Sequence, residues 1–159
     1  MKKLLLFAAA MASLNLMAVS VGDNAPDFSL STVDGKTFTL SEHKGKVILI
    51  FMLGHSCSFC QATAPKIESD IVTTYGANEN FLAIGADVWN GSTAQVAQFR
   101  GLTSYDIALS AGGLKSSYGF GTQDVLYVVD KAGKIAFAGT PYNGFSDVPS
   151  AASIIKTKL

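Results

Sequence analysis

The stretch that most limits how this chain can fold is "VILIFML", Val47 to Leu53, seven apolar residues in unbroken succession and rich in β-branched side chains. A strand with one wet face alternates apolar and polar residues, so an unbroken run needs cover on both faces, as in the central strand of a layered α/β domain. The next residues, "GHSCSFCQATAPKIESD" from Gly54 to Asp70, hold both of the chain's cysteines, Cys57 and Cys60. From Cys57 to about Tyr75, the positions Cys60, Ala64, Ile67 and Ile71 recur at helical spacing and define a buried stripe. Pro65 falls inside this pattern and should kink the helix rather than end it. A buried strand therefore feeds a helix whose first turn carries both thiols.

Around that unit the sequence reads as alternating short strands and helices. Asp34-Gly35 between the runs of "FSLSTVDGKTFTL" marks an N-terminal hairpin. After the cysteine helix come a strand "FLAIGADV", a helical piece "STAQVAQFR", a short "DIAL" segment and a helical turn near "AGGLKSSYG". The last third, "VLYVVDKAGKIAFAG", is two strands joined at Lys131 to Gly133, and Gly133 serves the tight reversal. A final helix is expected from Asp147 to Lys158. With no repeat, linker or low-complexity tract, this is the pattern of one α/β domain.

Residues 1–20 read as an export address. Lys2 and Lys3 precede an apolar run from Leu4 to Ala12 and then the small residues of "LMAVSVGD". Ser13 and Asn15 interrupt a run already shorter than the roughly 20 apolar residues that span a bilayer. No cysteine stands near the expected cut, around Ala18 or Ser20, to be acylated. Residues 21–159, about 139 residues, are long enough for a single domain with a true core. The 12 basic and 12 acidic residues balance, and without Lys2 and Lys3 the net charge is −2, with Arg100 the only arginine. That excludes the electrostatic footprint of a nucleic-acid binder. The expectation is a soluble periplasmic or secreted monomer.

Export sets the terms for the cysteines. Two closely spaced thiols make a poor staple, because so short a loop removes little entropy from the unfolded chain. At positions i and i+3 in a helix's first turn they can join and part with little backbone movement. The unpaired amides and the positive end of the helix favour a thiolate at Cys57, which makes it the attacking sulfur. Cys60, one turn deeper, would resolve the mixed disulfide. A permanently closed local disulfide and a metal site are the other readings of the same pair.

The chain resembles the thioredoxin-like, exported thiol-disulfide oxidoreductases of the TlpA/ResA type, within the redoxin superfamily. The residues that carry the likeness are "VGDNAPDFSL", "DGKTFTL", "KGKVILIF", the Cys57 to Cys60 pair with Pro65 following, and "YGFGTQDVLYVVDKAGKI". The resemblance implies a thioredoxin-like fold, a central mixed sheet flanked by helices with an N-terminal β-hairpin and a central insert. It implies disulfide exchange with protein thiols and with a membrane or periplasmic redox partner, and it calls for no cofactor. Three positions depart from the family pattern. Asp124 stands where the family has a proline facing the disulfide; it could oppose the Cys57 thiolate, relay a proton to or from Cys60, or be a solvated loop residue. Thr63 stands where the family often has a glutamate, and Ser56 replaces the tryptophan usual before the first cysteine. His55, beside it, could favour the Cys57 thiolate or be an exposed loop histidine.

A thiol peroxidase would need a proline seven residues and a threonine or serine three residues before its reactive cysteine. Counting back gives Ile50 and Gly54 from Cys57, or Leu53 and Cys57 from Cys60. A Cu(I) metallochaperone-like protein would use both thiolates with His55 or Met52 as a soft third ligand. Structural zinc fails on ligand count, and haem attachment fails because Gln61 stands where histidine is required. Phe59, Leu53 and Tyr118 are candidates for an apolar rim that docks a partner's cysteine loop, although each also suits the core or its shoulder, and core is the better reading of Leu53. The candidate catalytic set is Cys57, Cys60, His55 and Asp124.

Overall fold

The computed structural model describes residues 18–159. The leader reading for residues 1–20 therefore falls almost wholly outside the described residues. Two short strands, β1 (Ser29–Ser31) and β2 (Thr37–Thr39), form the expected antiparallel hairpin, and Gly35 at its tip has a φ of 76°. A main sheet of five strands follows in the order β5-β4-β3-β6-β7: β3 (Val47–Leu53), β4 (Phe81–Asp87), β5 (Ile107–Ala108), β6 (Val125–Val129) and β7 (Ile135–Ala138). β3 runs parallel to β4 and antiparallel to β6, so the sheet is mixed with β3 at its centre.

All seven residues of β3 are buried, as its composition demands. Val47, Leu49, Phe51 and Leu53 face one layer, built by α1 (Ser58–Ile67), α3 (Thr93–Arg100) and α5 (Gly144–Lys158). Ile48, Ile50 and Met52 face the other, where Phe28, Phe38, Tyr118 and Phe120 close the core. The period-two geometry of a strand places these sets on opposite faces, and each is covered. Truncating any one of them to alanine would cost about 2–5 kcal/mol.

Pro65 does not end α1, which passes through it into a single π turn, Glu68–Val72, and then α2 (Thr73–Tyr75). Proline takes one donor from the ladder, and the helix accommodates this because Ala64, Ile67 and Ile71 remain buried on the sheet. α3 begins with a reciprocal cap between Ser92 and Gln95. α4 (Leu114–Ser117) is a single turn. α5 starts three residues earlier than its composition suggests, since Asp147 donates its amide to Asn143 and Gly144 is anchored by Asp124.

Candidate active site

β3 ends at Leu53, and the chain turns once, with the Cys57 amide donating to the Gly54 carbonyl at 2.9 Å, before α1 begins. Cys57 is the N-cap of α1. Its backbone is extended (φ −74°, ψ 120°) and its Sγ accepts the Cys60 amide at 3.3 Å. A sulfur in this position meets an amide of the helix's first turn and the positive end of its dipole. Cys60 lies one turn in, fully buried, and its Sγ accepts the Gly54 amide at 3.5 Å. Burial, reinforced by the neighbouring Cys57, pushes the Cys60 thiol well above its ordinary range. Both cysteines are free thiols in this structure. Cys57 is more covered than its loop position suggests, at 4 % exposure.

Asp124 is not a solvated loop residue. It is buried in the loop before β6, with left-handed backbone (φ 58°), and its Oδ2 accepts the Gly144 amide at 3.2 Å. Desolvation raises its pKa, and the nearby Thr63 hydroxyl and Gly144 amide offset part of that rise. The Thr63 hydroxyl does not reach hydrogen-bond geometry, so Thr63 Oγ1 and Asp124 Oδ1 are both buried without a partner. Two of the three positions that depart from the resemblance are therefore neighbours in space. Asp124 is also close enough to Cys60 for its charge to disfavour the Cys60 thiolate.

His55 is likewise not a free loop histidine. Its ring Nδ1 lies 3.3 Å from both oxygens of Asp87, and its amide donates to Asp87 Oδ1 at 3.1 Å. Trp89, the chain's single tryptophan, lies with its ring against Gly54, where a Cβ would come within 2.5 Å of it. Its Nε1 donates to Gln123 Oε1 at 3.1 Å. The tryptophan missing before Cys57 is thus replaced, from the exit of β4, by one on the same turn.

Sequence reasoning missed Asp87, Trp89 and Gln123. An acid at the end of the apolar run "FLAIGADV" was a usable signal for Asp87, because a buried charge needs a partner. Nothing local distinguished Gln123.

Of the three rim candidates, Leu53 lies in the core as preferred, and Tyr118 is corrected from rim to core. Leu53 and Tyr118 are core residues, on opposite faces of the sheet, because a strand end and a helix C-cap turn their side chains inward here. Phe59 is 58 % exposed and meets exposed Tyr142 edge to face, with ring centroids 6.0 Å apart. Phe145, also exposed, packs under the Lys66 ammonium. Met52 belongs to the layer opposite Cys57 and Cys60, so it is turned away as a shared soft ligand. Among the described residues no group of three or more His, Cys, Asp or Glu could hold a metal ion.

The segment from Gly139 to Gly144 uses main-chain acceptors in β6 and in the two residues before it. Gly139 donates to the Leu126 carbonyl, Tyr142 to Gln123 and Gly144 to Asp124, at 2.8, 3.2 and 3.2 Å. A separate cavity of about 520 Å³, lined by Phe38, Phe81, Ala83 and Tyr105, includes none of the site residues.

The AhpC/TSA family model matches residues 21–138. The chain belongs to that family. Among curated proteins it is 26 % identical to the thiol-disulfide oxidoreductase ResA of Geobacillus thermodenitrificans over 118 residues, 74 % of this chain and 68 % of the relative. Among solved structures it is similar to a protein of Bacteroides thetaiotaomicron described as a protein disulfide isomerase, at 28 % identity and a TM-score of 0.74, covering 88 % of this chain and 95 % of that one. A Chlorobium tepidum protein described as the thiol:disulfide interchange protein DsbE aligns at 20 % identity and a TM-score of 0.69, covering 89 % and 99 %. The fold is thioredoxin-like, with the hairpin at the N-terminal side and α3, β5 and α4 lying between β4 and β6. No helix among the described residues is long and apolar enough to cross a membrane.

Proposed function

We propose that this family member is an exported thiol-disulfide oxidoreductase that exchanges disulfides with protein clients, residues 1–20 being a cleaved leader and 21–159 the working domain. One observation carries the reading: both sulfurs sit in the first turn of α1, Cys57 capping it and Cys60 buried behind. The names of the similar proteins support the same chemistry.

In this mechanism the Cys57 thiolate attacks a client disulfide. One client sulfur leaves with the bonding electron pair and takes up the proton that Cys57 gave up on ionising, and a mixed disulfide forms. Cys60 then loses its proton and attacks Cys57 Sγ, releasing the second client sulfur as a thiol and closing the Cys57–Cys60 bond. Because burial holds Cys60 as a thiol, this second step needs a proton acceptor, and Asp124 is the buried carboxyl beside it. Operation in reverse oxidises client thiols.

The test is Cys60→Ala in the periplasm, with thiol-trapped extracts resolved without reductant. Mixed disulfides through Cys57 are expected and identify the clients. If Cys60→Ala captures no more protein than Cys57→Ala, the reading fails.

A further inference from the structure

Asp87 closes β4, is 0 % exposed, and gathers donors from three places. They are the His55 amide at 3.1 Å, the Gly91 amide at 2.7 Å, the Trp89 amide at 3.4 Å, and the His55 ring. An ionised carboxylate only accepts hydrogen bonds, so the imidazole nitrogen that faces it, Nδ1, must carry the proton. In the neutral ring this leaves Nε2 as a lone-pair acceptor. The ring has little freedom to turn: Trp89 meets it edge-on at 5.9 Å and 88°, and a Cβ on Gly91 would fall 2.5 Å from Nδ1. Its open side borders a hollow of about 390 Å³ lined by Ser56, Gln61, Gln98 and Leu102, beside the first turn of α1.

We propose that Asp87 is a positioning residue for the thiol chemistry. It holds His55 as the Nδ1–H tautomer, so that Nε2 accepts a proton on the turn that delivers Cys57, and it stabilises the imidazolium that results. The proton of the Cys57 thiol passes to Nε2 through one water as the thiolate forms, and Cys57 Sγ then bonds to a client sulfur. The client S–S bond breaks, and the departing sulfur takes the electron pair and recovers the proton from Nε2. Nothing is consumed beyond the client disulfide. The order nucleophile, imidazole, carboxylate is the logic of an activated nucleophile with an oriented base. Asp87 is the charged group in contact with the ring, and Cys57 shares its turn. Arg100, the charged residue of α3, points away to the Thr103 carbonyl and Asp34. The proposal rests on Cys57 as nucleophile, and its test separates the two.

Two measurements on reduced Cys60→Ala protein decide it. Imidazole ¹⁵N spectra should show His55 protonated at Nδ1 when neutral, and Asp87→Asn should abolish that preference. Iodoacetamide alkylation of Cys57, followed from pH 5 to 9, should slow about tenfold at pH 7 in His55→Asn and in Asp87→Asn, with no further loss in the double variant. Gly91→Ala displaces the ring without changing any charge and should slow alkylation similarly. It keeps the test in hand if Asp87→Asn does not fold. An unchanged tautomer in Asp87→Asn, or losses that multiply in the double variant, overturns the proposal. If alkylation behaves as expected while the intact dithiol protein exchanges no cystine-containing peptide, the positioning role stands and the oxidoreductase reading falls.

Discussion

Thr63 and Asp124 converge on Gly144: a Cβ there would sit 2.6 Å from Asp124 Oδ1 and 3.1 Å from Thr63 Cγ2. The residue at 144 must be glycine for the buried carboxyl to fit against α1. One carboxyl oxygen is held by the Gly144 amide and the other is free, which suits a group that takes and returns a proton beside Cys60.

Asp124→Asn keeps the shape and removes the acid. It should slow release of the mixed disulfide by about tenfold to a hundredfold, the usual worth of a positioned acid or base, while leaving the first attack by Cys57 within about twofold. Stopped-flow kinetics with a fluorescent disulfide peptide separate the two phases. Equal loss in both phases would count against a role at Cys60.

The same carboxyl sets a pH dependence of stability. Its pKa is raised by burial, so between the ordinary carboxylate range and the raised value the native state binds more protons than the unfolded chain. Stability from this group is therefore fullest at acid pH and declines as pH rises through that window, by at most about 1.4 kcal/mol per pH unit. Urea unfolding from pH 4 to 8 should show Asp124→Asn gaining on the wild type as pH increases. Parallel curves would show that the site does not titrate there.

Gly54→Ala tests the indole against the cysteine turn. The new methyl group meets the Trp89 ring, so the ring must move and its bond to Gln123 must break. A loss of about 1–3 kcal/mol is expected. Trp89 fluorescence should shift as well, and an unchanged spectrum would mean that the ring does not rest there.

Removing the exposed rings should spare the fold and impair clients. Phe59→Ser with Tyr142→Ser is expected to raise KM for a protein disulfide about tenfold, with small-disulfide rates changed less than twofold, as exposed aromatic patches behave at interfaces. Comparable losses with both substrates would assign the rings to the chemistry instead of to docking.

The fold was legible because its signals are local. The unbroken "VILIFML", the Asp34-Gly35 turn and the helical stripe from Cys60 to Ile71 each appear where their periodicity places them. The cysteine helix was legible for the same reason. The surroundings of His55 and Asp124 were not, since Asp87, Gly144 and Trp89 lie some 20 to 35 residues away and only the topology brings them in. Tyr118 misled because a hydrophobic side chain's identity says nothing about which layer it faces. The early start of α5 was hidden because its anchor is a tertiary contact to Asp124, not a local cap.

The bonding of residues 139–144 to β6 and the two residues before it has a further consequence. The carbonyls of Gln123, Asp124 and Leu126 are already answered from within the chain, so a visiting polypeptide's amides would have to compete for them. For the client exchange proposed above, this shifts the weight of docking on that flank from main-chain acceptors to side-chain fit and the sulfur bond itself.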